Sequence, residues 1–155
     1  MQPGVATLIV NFNAGDALAR CVESVLSQGC KVSVTVVDNA SSDGSAQRLE
    51  ELYGRSNAVA VIFNDRNTGF SRAVNQAAEA VRDRPETYLL VLNPDCELFP
   101  GSLRTLVEAL ESNPEAALAG PAAALLAAPP RAGEPVLVIL APGADADGLL
   151  AAAGA

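Results

Sequence analysis

The chain contains no histidine. That removes the commonest general base and every nucleophilic triad that depends on one. Its Ser and Cys side chains are left without an obvious activating partner. Cysteine is scarce as well: Cys21, Cys30 and Cys96 form an odd, scattered set with no CxxC spacing. The set argues against structural zinc and for a reducing compartment, and Cys21 falls on an apolar helix face, where it reads as packing. Positive charge is in short supply, with 10 Lys and Arg against 18 Asp and Glu and a net charge of −8. Nothing in that balance favours the phosphate backbone of nucleic acid. An anionic ligand stays compatible with it if a divalent metal bridges the two. Long apolar runs are also missing: none approaches the ~20 residues that span a bilayer, so no transmembrane segment is expected. The opening "MQPGVATLIVNFN" has no basic region before its short apolar run and reads as a first strand, not a signal peptide. The expected location is cytoplasmic, with peripheral contact at the inner face of the membrane left open.

What is present is regular. The 155 residues, half of them apolar, suit one domain with a real core. "VATLIV" (Val5–Val10) is a continuous apolar run, as in a strand covered on both faces. "GDALARCVESVLSQG" places Leu18, Cys21, Val22, Val25 and Leu26 on one helix stripe, with Asp16 as N-cap candidate and Gly29 just past the end. "KVSVTVV" is a second strand, followed by a short helix with Leu49, Leu52 and Tyr53 inward and Gly54 as its stop. "AVAVIF" (Ala58–Phe63) is a third strand, followed by a helix with Phe70, Ala73, Val74, Ala77 and Val81 inward. "TYLLVL" (Thr87–Leu92) is a fourth, and "SLRTLVEALES" is a fourth helix with Leu103, Leu106, Val107 and Leu110 inward. This alternation predicts a three-layer α/β/α sandwich with a mostly parallel sheet.

In such sheets ligands bind beyond the carboxyl ends of the strands. Here those ends read Asn11-Phe12-Asn13, Asp38-Asn39, Asn64-Asp65 leading into Arg66-Asn67-Thr68-Gly69, and Asn93-Pro94-Asp95. Asn, Asp and Gly are ordinary turn residues, and any single ending has that explanation. Four together, on one edge, point to a polar pocket.

The phosphate-binding signatures G-x-G-x-x-G and G-x-x-x-x-G-K-[ST] are both absent after the first strand. What remains is "LNPDCE". Pro94 fixes its own φ and biases Asn93 toward extended geometry. Mg²⁺ and Mn²⁺ favour oxygen ligands, commonly one or two carboxylates plus substrate phosphates. Asp95, helped by Asn93 or Glu97, is therefore the candidate metal ligand of a nucleoside-diphosphate site, although on the tripeptide alone an Asx-Pro turn with a helix cap is the stronger reading.

The motifs "LIVNFN", "VVDNASSDGS", "NTGFSRAVNQA" and "LLVLNPD", in this order, resemble the family-2 glycosyltransferases of the GT-A fold, closest to the rhamnosyltransferase-like branch, from about Val5 to Gly120. The resemblance implies that Asn11, Phe12 and Asn13 line the base and ribose of a nucleoside-diphosphate sugar, and that Asp38 hydrogen-bonds the base. It implies that Asn67, Gly69 and Asn75 shape the wall near the sugar and phosphates. "NPD" resembles the family's DxD motif, with Asn93 in the first place and Asp95 as ligand of Mg²⁺ or Mn²⁺. The implied reaction is metal-assisted, inverting transfer of a sugar to a polysaccharide or lipid-linked acceptor.

Family members carry the catalytic base in a second, acceptor-binding half, and no motif after Gly120 matches it. Residues 121–135 read as a Pro/Ala-rich linker, "VLVIL" as an extra strand, and "DADGLLAAAGA" as the start of a helix. Two readings of this tail follow: a cut from a longer or tandem protein, or a strand that patches the edge of the sheet. Three functional classes follow from the whole chain. The first is a sugar transferase or its donor half. The second is a non-catalytic nucleotide-sugar-binding module, acting with a partner chain or as a homo-oligomer. The third is a sugar nucleotidylyltransferase, which "NFNAGD" argues against because it lacks the Gly-rich, basic loop that class needs.

Overall fold

The computed structural model describes residues 4–84, 88–116, 118–119 and 137–140. Its elements follow the periodicity of the sequence: β1 (Val5–Asn11), α1 (Ala17–Leu26), β2 (Val32–Asp38), α2 (Ser45–Tyr53), β3 (Val59–Phe63), α3 (Phe70–Val81), β4 (Tyr88–Leu92), α4 (Ser102–Glu111), β5 (Leu118–Ala119) and β6 (Leu137–Leu140). The sheet order is β3-β2-β1-β4-β6-β5. The first four strands are mutually parallel, while β6 runs antiparallel to β4 and β5 antiparallel to β6.

The pleat sorts the core into two layers. Val5 and Ile9 of β1 join Val34 and Val36 of β2 and Leu90 and Leu92 of β4 beneath α1, α2 and α4. Ala6, Leu8 and Val10 face the other way and pack with Val37, Val91 and the Ala73, Val74, Ala77 and Val81 stripe of α3. Three helices thus cover one face and α3 covers the other, which is why β1 is buried over its whole length.

Four details depart from the sequence reading. Leu52 is 67% exposed: it lies off the phase of Ala46, Leu49 and Tyr53, on the solvent side of α2. Phe70 is in phase with the α3 stripe but 40% exposed, at the first position of the helix. Asp16 stands at the start of α1 with α-helical backbone and makes no side-chain cap; its carboxylate lies 3.5 Å from Arg48. Leu26 and Leu106 are half-buried, at the margins of their stripes. The strand expected in the tail exists and pairs Leu137 with Leu92 through Leu140 with Leu89, so it does join the main sheet. The linker at 121–135 and the helix start expected after it lie outside the described residues.

Candidate functional site at the strand tips

Register aligns the tips. Asn11 sits opposite Asp38, and Asp38 opposite Phe63. Backbone bonds continue one step past the strands, from Asn39 N to Asn11 O and from Asn64 N to Asp38 O. The expected Asn- and Asp-bearing ends therefore do share one edge.

Alternation sends Asp38 and Asn39 to opposite faces, and each anchors its own network. On the α1/α2 side, Asn11 is fully buried and Asp38 is 2% exposed. Asn11 Nδ2 donates to Asp38 Oδ1 at 2.7 Å, with Ser45 Oγ at 2.8 Å and Ser41 Oγ at 3.1 Å around the same group. Asp38 also accepts from Ser41 N and Ser41 Oγ. Its carboxylate is thus spent largely on joining the loops after β1 and β2. Asn13 extends the seam, with Oδ1 accepting from Ser42 N at 2.8 Å and its own N–H donating to Ser41 Oγ. Asp43 closes it, accepting from Gly15 N at 2.7 Å, Ser45 N at 3.0 Å and Ser45 Oγ at 2.6 Å. The Ser45 hydroxyl, with the N–H groups of Ser45 and Gly15, holds the Asp43 carboxyl below the usual carboxylate range. On the α3 side, Asn39 binds the turn that carries Asn67 and Gly69, and Asn67 Oδ1 accepts from Gly69 N.

Ser41, Ser45, Asn39, Asn64 and Gln76 carry these seams; all but Asn64 lie within the quoted motifs, yet the resemblance gives none of them a role. Strand-end position flags Asn39 and Asn64. Gln76 gives no such signal, because its role is a reciprocal amide pair with Asn64, at 3.0 Å in both directions, made only by tertiary contact.

The residues that face outward are different ones. Phe12 is 52% exposed, and Asn67, Gly69, Asn75 and Asp95 are exposed. Asn93 is half-buried, and its carbonyl takes hydrogen bonds from the Cys21 thiol at 3.4 Å and from Cys96 N. No hydrogen bond among the described residues links the Asn93–Asp95 turn to the Asn11–Asp38 seam; β1 brings them side by side as its two flanking tips.

The turn fits a divalent metal through its donor chemistry. Asn93 and Asp95 offer oxygen only, and no ion pair among the described residues engages Asp95. Glu97 lies 2.8 Å from Arg20, with both side chains more than half exposed. No group of three His, Cys, Asp or Glu converges among the described residues. Burial pushes the Cys21 thiol up to about 12 and raises Cys30 and Cys96 too, so none of the three is an activated nucleophile. A cavity of about 380 Å³ beside Val5, Cys30 and Arg104 lies at the opposite edge of the sheet, away from the tips.

Residues 7–125 match the family model described as glycosyl transferase family 2. The chain is 33% identical over 107 residues to the succinoglycan biosynthesis protein ExoO of Rhizobium meliloti (strain 1021), covering 68% of this chain and 29% of that protein. It is 31% identical over 130 residues to the N-acetylglucosaminyl-diphospho-decaprenol L-rhamnosyltransferase of Mycobacterium tuberculosis (strain ATCC 25618 / H37Rv), covering 78% and 41%. The chain thus spans less than half the length of these curated relatives. Among solved structures, it superposes on the mannosyltransferase PcManGT from Pyrobaculum calidifontis, in complex with GDP-Man and Mn²⁺, with a TM-score of 0.65 at 19% identity over 76% of this chain and 35% of that one. It superposes on S. aureus TarS 1–349 with a TM-score of 0.62 at 17% identity over 74% and 34%. These two likenesses show the fold, the GT-A arrangement.

Proposed function

The chain belongs to glycosyl transferase family 2, and from that premise we propose that it forms the donor-binding half of a sugar transferase. The donor is a nucleoside-diphosphate sugar, and the acceptor a polysaccharide or lipid-linked saccharide. The observation that carries this reading is the edge itself: four strand tips in register, with Phe12, Asn67 and Asp95 turned outward on a scaffold of buried amides.

Phe12 and Asn13, the exposed residues after β1, take the base and ribose, with Asn11 and Asp38 fixing that loop from behind. Gly69, Asn67 and Asn75 form the wall along the sugar and phosphates. Asp95, with Asn93, holds Mg²⁺ or Mn²⁺, which when bound neutralises charge on the departing diphosphate. The acceptor hydroxyl attacks the anomeric carbon from the opposite face, the nucleoside diphosphate leaves with the electrons of the C1–O bond, a carboxylate base of the acceptor half takes the hydroxyl proton, and the carbon is inverted. The name of the mycobacterial relative supports a lipid-diphosphate-linked acceptor, and that of the Rhizobium relative a polysaccharide product. The Mn²⁺ beside GDP-Man in the archaeal structure supports the metal. No helix among the described residues is long and apolar enough to cross a membrane; action on the cytoplasmic side, at the inner face of the membrane, goes with this reading.

The test is calorimetric titration of UDP, dTDP and GDP, each with and without Mn²⁺, on the wild type and on Asp95→Ala. The expected result is Mn²⁺-dependent binding of one nucleotide, weakened at least about tenfold in the variant. Binding that ignores both Mn²⁺ and Asp95 would remove the metal assignment. No binding of any nucleotide would remove the donor site.

A further inference from the structure

We propose that Asn39 is a positioning residue that holds the Asn67–Gly69 wall of the donor site in its ligand-ready shape. The inference rests on the donor-site reading above and deepens it.

Asn39 is 2% exposed, yet its side chain holds nothing of the core. Oδ1 accepts from Thr68 N at 3.2 Å, Thr68 Oγ1 at 3.1 Å and Asn64 Nδ2 at 3.1 Å. Nδ2 donates to Gly69 O at 3.3 Å. One amide therefore grips the Asn67–Thr68 and Gly69–Phe70 peptide groups on either side of the turn. The Asn64–Gln76 pair braces Asn39 in turn, so the tip of β3 and the body of α3 fix the side chain that fixes the turn.

The gripped segment has little else to hold it. Arg66, Asn67, Gly69 and Phe70 are exposed and Thr68 is half-buried, so no apolar packing sets its shape. Gly69 sits at φ +85°, a region that side-chain-bearing residues rarely adopt, and the space where a Cβ would stand is open. That backbone leaves room for a ligand to approach, but an isolated turn would not keep it. Asn67 Oδ1 on the outside and Asn39 on the inside are the side chains that do, beside the Ala73 N–H that donates to Gly69 O at 3.2 Å. Loss of Asn39 should free the wall without opening the core, which separates its effect on ligand affinity from its effect on folding.

The test is Mn²⁺-dependent titration with the nucleotide that the wild type binds, among UDP, dTDP and GDP, well below the melting temperature. Asn39→Ala, which loses all four bonds, should weaken binding about tenfold or more. Asn39→Asp keeps the oxygen that accepts from Thr68 and Asn64 but sets a second carboxylate oxygen against Gly69 O, so it should recover only part of that loss. Val107→Ala, in the core beneath α4, should lower the melting temperature at least as much and leave affinity within about twofold. If Asn39→Ala does not fold, Thr68→Val removes one hydroxyl bond and should cost about threefold. Wild-type affinity in Asn39→Ala or Thr68→Val overturns the proposal, as does a loss in Val107→Ala that matches its loss of stability. A wild type that binds no nucleotide fails at the donor-site reading, a separate outcome that takes this inference with it.

Discussion

A buried carboxylate is costly unless donors surround it, and Asp38 shows how this protein meets that demand. Asn11 and Ser41 face it from neighbouring loops, so residues that would disfavour a strand interior become the mortar at its end. Asp43 does the same nearer solvent, and its lowered pKa ties it to pH. Its bonds to Ser45 and Gly15 stabilise the ionised form, so their contribution is present above the ordinary aspartate pKa and lost as pH falls through the lower folded value. Asp43→Asn should therefore melt earlier than the wild type at neutral pH, and the gap should close below about pH 4; melting curves over that range check it. Thr35 shows the opposite case, a buried hydroxyl with no hydrogen-bond partner among the described residues. Thr35→Val keeps the shape and removes that liability, so it should gain about 1 kcal/mol in urea unfolding. At this scale the sequence was partly readable. Asp38, Asn11 and Asn39 announce themselves by ending apolar runs. Ser45 and Gln76 do not, because a serine opening a helix and a glutamine within one have local explanations that hide a tertiary role.

Among the helices, α1 carries two faces with different duties. Leu18, Cys21, Val22 and Val25 enter the core. Arg20, Ser24 and Gln28, four residues apart, form a polar rail along which the segment after β4 lies: Arg20 meets Glu97 at 2.8 Å, Ser24 Oγ accepts from Leu98 N at 3.0 Å, and Gln28 donates to Phe99 O at 3.0 Å. Gln28 Oε1 also accepts from Leu103 N, a first-turn donor of α4 whose own N-cap is Gly101 and offers no side chain. One helix end thus caps another. Gln28→Leu should leave that N–H unpaired and cost about 1–3 kcal/mol in urea unfolding, whereas Leu52→Gln on the outer side of α2 should change stability by less than about 0.5 kcal/mol. The apolar stripes were legible because a 3.6-residue period needs no partner to be seen. The rail was not, since Arg, Ser and Gln on the polar side of an amphipathic helix read as solvated until the partner strand is placed beside them.

For the molecule as a whole, charge and topology set the terms. A net charge of −8 repels a diphosphate, and salt screens that repulsion. The weak nucleotide affinity that remains without metal should therefore rise from low to high salt, the reverse of a basic phosphate site; titration in a chelator at millimolar nucleotide and two ionic strengths checks the sign. Four parallel strands with intervening helices were readable from the alternation of periods. The asymmetry of the sandwich was not, because covering one face with α3 alone depends on crossover geometry that no single segment encodes. The strand order has one more effect, on the time the chain takes to assemble. β1 is the first of the described strands to be synthesised, and its two neighbours arrive at different moments: Val5 pairs with Val32 on one side and with Tyr88 on the other. At translation rates of about 5–20 residues per second, the apolar Val5–Val10 segment waits for several seconds with one ladder of N–H and C=O groups open to any strand that diffuses past. The most deeply buried strand of the finished sheet is thus, in the nascent chain, an edge left open for seconds, and overproduction should be limited by what shields it during synthesis.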